Sequence, residues 1–303
     1  MVKTRKSHRM KRSWDDKIFD WVCNAFIITL IVLVLYPLWF VLVASLSDPM
    51  YVNNGTFLLY PRGFTLDGYQ YVFENAKIWT AYGNTIYYTI MGTIFGTFIT
   101  MLAGYAFSRK DLIGGNLIMQ LFVFTMYFSG GTIPLYLVIQ ELGLLNTREI
   151  MIILGSVSVY NIIIVRSFMV SNIPQDLYDA AQIDGCGNGR FFFQIVLPLS
   201  KAVIAIMVLY IAVGHWNSYF NALMYLTDQD MQPLQVVLRE ILILSSAATT
   251  DPNADPELVQ RMQKLATVMK YSFIVIATAP ILCVYPFIQK HFVKGVMIGS
   301  VKG

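Results

Sequence analysis

Residues 173–198 read IPQDLYDAAQIDGCGNGRFFFQIVLP, a polar, turn-rich insert between two apolar runs. The insert holds Asp176, Asp179 and Asp184, then Gly185, Gly187, Gly189 and Arg190, in a chain of 303 residues of which only 13% are charged. Soluble domains carry about 25% charged residues. A chain this poor in charge, and 56% apolar, is therefore an integral membrane protein. Carboxylates and glycines gathered in such a chain serve something outside the hydrocarbon.

The pattern inside the insert is that of two short helices. Pro174 suits a helix start, because its missing N–H is one that the helix would leave unused. Asp176 and Asp179 complement the positive end of the helix dipole. Leu177, Ala180 and Ala181 follow at i, i+3, i+4 spacing and form a narrow apolar face. Gly185 is placed to stop the helix by turning the backbone left-handed. A second helix is predicted over residues 188–196, anchored by Phe191, Phe192 and Ile195, with Pro198 at its end.

Outward from the insert, the chain reads as six apolar spans at 21–46, 82–107, 116–138, 150–170, 202–226 and 267–288. Each is near the roughly 20 residues needed to cross hydrocarbon. The predicted fold class is all-α integral membrane. It comprises a basic tail at 1–20, a six-span domain at 21–289 containing the loop 171–200, and a tail at 290–303. The first run has 26 residues. A secretory signal has a core of about 7–15, so the run is read as a retained span. Two polar loops, 47–81 and 227–266, connect spans. With both termini inside, fifteen of the 22 Lys and Arg residues fall on the inner side, seven of them in the first 20 residues. That distribution follows the positive-inside rule and puts the insert in the cytoplasm.

Polar residues inside spans are costly and face protein or water. Asn84 and Tyr88 open the second span, Asn161 sits in the fourth, and His215, Trp216, Asn217, Tyr219 and Asn221 crowd the fifth. Two readings stand side by side. These residues line a path for a hydroxyl-rich solute, since amides bond hydroxyls and aromatic faces cover sugar rings. Or they pack the bundle and anchor it at the interface. Residues 129–134, SGGTIP, predict a break in the third span. Gly92, Gly96, Thr100 and Gly104 form a small-residue stripe that lets a helix approach closely, within this chain or from a second one. Residues 233–246 look amphipathic, as a surface for a soluble partner or a helix lying on the membrane.

The three cysteines, Cys23, Cys186 and Cys283, are far apart and suggest neither a disulfide framework nor a zinc site. His8, His215 and His291 are too scattered for a metal. No nucleotide-binding or catalytic motif is present, so the chain reads as a non-enzyme.

The spacing D-A-A-x3-G-x9-I-V-L-P, carried by Asp179, Ala180, Ala181, Gly185, Ile195, Leu197 and Pro198, resembles the EAA loop of ABC-importer permease subunits. Two positions depart from it: Asp179 stands where Glu is usual, and Ala202 where a second proline is common. The likeness extends to GGTIPLYLVIQELGLLNT, HWNSYFNALMYL and the terminal YPFIQKHFVKGVMIGSVKG. These are similar to the maltose-type carbohydrate permeases, in particular the branch serving oligosaccharides and polysaccharide fragments. The resemblance implies a subunit of the bacterial cell membrane paired with a second, non-identical permease. Two copies of a cytoplasmic ATPase, holding the ATP and Mg, would bind beneath, and an extracytoplasmic solute-binding protein above. No cofactor is expected in this chain. The resemblance assigns ATPase coupling to Asp176, Asp179, Ala180, Ala181, Asp184, Gly185 and Arg190, and secondarily to Lys294 and Lys302 of the tail. A permease for amino acids or peptides shares the loop. A stand-alone secondary transporter predicts inverted repeats or intramembrane charges, and neither is found.

Overall fold

The computed structural model describes residues 14–54, 59–247, 264, 266–267, 269–283 and 286, and every regular element among them is helical. The first four helices are α1 (Trp14–Ser45), α2 (Pro49–Asn53), α3 (Asp67–Glu74) and α4 (Ala76–Ser108). Next come α5 (Gly115–Tyr127), α6 (Thr132–Glu141), α7 (Arg148–Ile153), α8 (Val159–Asn172) and α9 (Gln175–Ile183). A bent rod follows, made of α10 (Asn188–Phe191), a π-turn (Phe192–Val196) and α11 (Leu197–Leu199). The last are α12 (Lys201–Trp216), α13 (Phe220–Tyr225), α14 (Leu234–Ala247) and α15 (Met269–Cys283).

α4 is the shaft on which the others pack. It has 33 residues and, with the 32-residue α1, is long and apolar enough to cross a bilayer. Its stripe of small residues is used within the chain. A Cβ on Gly92 would lie 2.4 Å from the His215 ring, one on Gly96 2.3 Å from the Ser156 carbonyl oxygen, and one on Gly104 2.4 Å from Val165. The turn between α7 and α8, α8 itself and α12 therefore approach α4 so closely that no side chain fits on these glycines. Without hydrophobic force between helices in lipid, such contact is what joins them.

The remaining apolar runs are more broken than their sequences suggest. α5 and α6 meet at a 115° bend in the region expected from SGGTIP, with Gly131 at φ 90. The predicted span 150–170 is two helices, separated where Gly155 takes φ 83. The predicted span 202–226 ends its helix at Trp216 and resumes at Phe220. The rod 188–199 meets α12 at 83°. Pro198 does not end the second short helix as expected. The helix continues to Leu199, because the π-turn just before it widens the coil where the proline ring would strike a carbonyl of the preceding turn.

Both polar loops contain helices. α14 is amphipathic as read, and its apolar side is buried in protein: Leu234 and Val237 pack with Val72, Ile78, Ala81, Phe273 and Ala277. Lys77 Nζ meets Glu240 Oε2 at 2.9 Å beside them. α1 is nearly bare along its length, with Val43, Ala44 and Ser45 of its last turn buried.

Candidate functional site

α9 is bounded as its sequence requires. Pro174 is the extended cap at φ −61 and ψ 143, and Asp184 closes the helix. Gly185 follows at φ 73. Its N–H donates to Gln182 O at 3.0 Å, and the Cys186 N–H donates to Ala181 O at 2.9 Å. This paired return of N–H groups satisfies carbonyls that a helix end would orphan.

The apolar face read at Leu177, Ala180 and Ala181 divides between the two sides of α9. Tyr178 and Ala181 turn inward, packing with Val165, Met169, Phe191 and Val196. Leu177 and Ala180 face out, together with Asp176, Asp179 and Ile183, the last 87% exposed. The tyrosine ring offers far more apolar area than Leu177 at its position, and it finds aromatic partners on the neighbouring rod. Ala181 is thus a packing residue toward the chain's own core, while Ala180 is open. Asp184, Gly185 and Arg190 are exposed; Arg190 Nε donates to Gln194 at 2.9 Å along its own rod.

Tyr178 is clamped. The guanidinium carbon of Arg109, just past α4, lies 3.2 Å from the ring centroid. Arg109 Nε and Nη2 donate to the two Asp111 carboxylate oxygens at 2.9 and 2.8 Å, which fixes the plane of the fork. The hydrogen bond from Arg109 holds the Asp111 carboxyl below its usual range. Phe191 meets the same tyrosine ring edge-on at 5.2 Å and 86°. The Tyr178 hydroxyl lies 2.8 Å from Asn188 Oδ1. A stacked cation on an aromatic face contributes about 0.5–2 kcal/mol, more as water is excluded. Alongside, Tyr105 of α4 packs on Phe192 at 5.2 Å, and Arg166 Nε of α8 donates to the Phe107 carbonyl at 2.9 Å. Arg109, Asp111 and Tyr178 were invisible to pattern reading. An arginine at a span's end reads as a topology signal, and nothing local pairs it with a ring on another element.

The candidate path residues divide. Asn84 Nδ2 donates to the backbone carbonyls of Asp230 and Gln232 at 2.6 and 3.2 Å. The Tyr88 hydroxyl donates to Met231 O at 2.8 Å. His215 is buried, with Nε2 3.0 Å from the Ser156 hydroxyl, which also bonds the carbonyls of Gly92 and Ile152. Trp216 Nε1 donates to Ala277 O at 3.0 Å and meets Tyr82 edge-on. These four are engaged in holding elements together. Asn161 and Asn221 are half-buried, and Asn217 and Tyr219 are exposed. Lys294 and Lys302 lie outside the described residues.

The family model of the binding-protein-dependent transport system inner membrane component matches residues 7–298. The chain belongs to that family. Protein LplC of Bacillus subtilis (strain 168) is 39% identical over 297 residues, covering 98% of this chain and 99% of its own. The polygalacturonan/rhamnogalacturonan transport system permease protein YtcP of the same organism is 40% identical over 288 residues, 95% of this chain and 99% of its own. A chain in the crystal structure of a bacterial ABC transporter involved in the import of the acidic polysaccharide alginate superposes with a TM-score of 0.81 at 29% identity. That match covers 93% of this chain and 99% of the other.

Proposed function

We propose that this chain is the membrane permease subunit of an ATP-driven ABC importer that moves a carbohydrate of the oligosaccharide class inward by alternating access. The observation that carries the coupling half of this reading is the two-sided α9. Its inner face is locked to the shaft through Tyr178. Its outer face presents Asp176, Asp179, Ala180 and Ile183 to solvent. An apolar and acidic surface on a rigid mount is what a groove on a cytoplasmic ATPase can grip, and the small Ala180 lets the two backbones come close.

In this reading the chain crosses the membrane six times with both termini in the cytoplasm, three of the crossings being bent or interrupted. It pairs with a second permease, stands on two ATPase copies and receives solute from a solute-binding protein. The carbohydrate assignment is supported by relatives whose names specify pectin-type polysaccharides and alginate. The accessible Asn217 and Tyr219 are the candidate sugar contacts.

The test is co-purification of the ATPase with the permease pair, followed by uptake of a panel of oligogalacturonides, neutral oligosaccharides and amino acids into vesicles energised with ATP. Uptake confined to the oligosaccharides is the expected result. Amino-acid uptake alone sinks the carbohydrate assignment, and a complex that never retains the ATPase sinks the coupling one.

A further inference from the structure

We infer that Arg109 is a positioning residue for transport, the joint through which α9 moves α4. This rests on the reading that α9 docks on the ATPase. By chain connection α9 is attached to α8 through Ile173 and Pro174 and, through residues 184–187, to the rod that leads into α12. α4 is connected to neither, yet α8 and α12 both pack along it. A force applied at α9 therefore reaches the shaft through side chains, and Arg109 reaches α9 directly.

The geometry suits transmission in three respects. Asp111 takes two N–H groups of the fork, so the guanidinium plane cannot turn away from the ring. The Tyr178 ring is held by the guanidinium of Arg109 and, edge-on, by Phe191, so it cannot rotate without moving one of them. The guanidinium is mostly covered, its side chain 12% exposed, whereas Asp111 is open at 59%. The contact bearing on the ring is thus sheltered, and its guide is in water. Lysine could keep the charge but neither the flat face nor the paired donors.

That difference separates the joint from the bland role of a basic residue marking the inner end of a span. A topology marker tolerates Arg109→Lys, because the positive-inside rule counts both residues alike. A joint does not. The experiment uses the full complex of both permeases and ATPase, with Cys23, Cys186 and Cys283 replaced by alanine. Spin labels are placed at Ala106→Cys on α4 and Gln175→Cys on α9, both exposed. Distances are measured without nucleotide and after trapping with ATP and vanadate.

With Arg109 in place, one narrow distance should persist in both states, since the two helices travel together. In Arg109→Lys and in Tyr178→Leu the distance should shift between states by on the order of 5 Å, about one helical turn, while the ATPase stays bound and hydrolysis continues. Tyr178→Phe keeps the ring face and should behave as the parent does. An unchanged distance in both Arg109→Lys and Tyr178→Leu overturns the joint. Loss of the ATPase from the parent complex overturns the docking reading instead.

Discussion

At its first turns α4 carries Asn84, Thr85 and Tyr88, and each side chain bonds the backbone of residues 230–234. Two carbonyls accept from Asn84, Met231 O accepts from Tyr88, and the Leu234 N–H donates to Thr85 Oγ1 at 2.8 Å. Just past its last turn Tyr178 is held by the sheltered face of Arg109, which is paired with the open Asp111, and by Phe191 of the rod. The first kind of contact is directional and fails within tenths of an ångström. The second is a broad face on a broad face, the guanidinium held flat by its carboxylate and the ring backed by Phe191. One end of the shaft is bolted to its loop by hydrogen bonds, and the other is clamped by stacking. For a protein read as transmitting a stroke, the clamped end is the one that carries α9.

The largest effect should come from breaking the shaft that both ends share. Gly96→Leu drives a side chain into the Ser156 carbonyl. Overpacking of that kind costs about 3 kcal/mol or more, so little folded complex should be recovered from the membrane, as read by size-exclusion chromatography in detergent. Asn84→Leu should come next. It leaves the carbonyls of Asp230 and Gln232 without their donor, at about 1–3 kcal/mol. Hydrogen exchange should rise across residues 227–234 and stay unchanged in α9; a rise in α9 as well would erase the contrast between the ends.

Smaller effects sharpen the clamped end. Ala181→Leu crowds the buried side of α9 and should lower the melting temperature, for a cost of about 1–2 kcal/mol. Ala180→Leu should leave melting alone and weaken ATPase co-purification. Equal melting losses in the two variants would remove the distinction between the faces. The least effect belongs to pH. A carboxyl held low in the folded state contributes stability above its ordinary titration range and loses it only as pH falls through the depressed value. The melting difference between parent and Asp111→Asn should therefore be flat from about pH 5.5 to 8 and shrink only below about 4.

Much of the helical plan was legible in residue chemistry. Pro174 and Gly185 bounded α9 because proline and glycine restrict backbone angles locally. The stripe from Gly92 to Gly104 announced close packing because small residues leave room that something must fill. Other features depended on partners remote in sequence. Asn84 and Tyr88 look the same whether they face a solute or a backbone segment, and their acceptors lie more than 140 residues away. That Tyr178 turns inward on α9, taking Ala181 with it, was set by Phe191 and Arg109 on other elements. The interruption of residues 150–170 rests on Gly155 taking positive φ, which hydropathy does not register.

The π-turn at Phe192–Val196 also has an arithmetic consequence. A π-turn holds one residue more than the α-turn it replaces. Deleting the exposed Phe193 would restore ordinary winding, leave the flanking segments near their present facing, and bring a carbonyl of the preceding turn back against the Pro198 ring. The clash would fall on the rod that carries Phe191, although no contact residue had been changed. The chain's length through this rod is itself part of its specification, so single-residue deletions here should be far less tolerated than substitutions at the same exposed site.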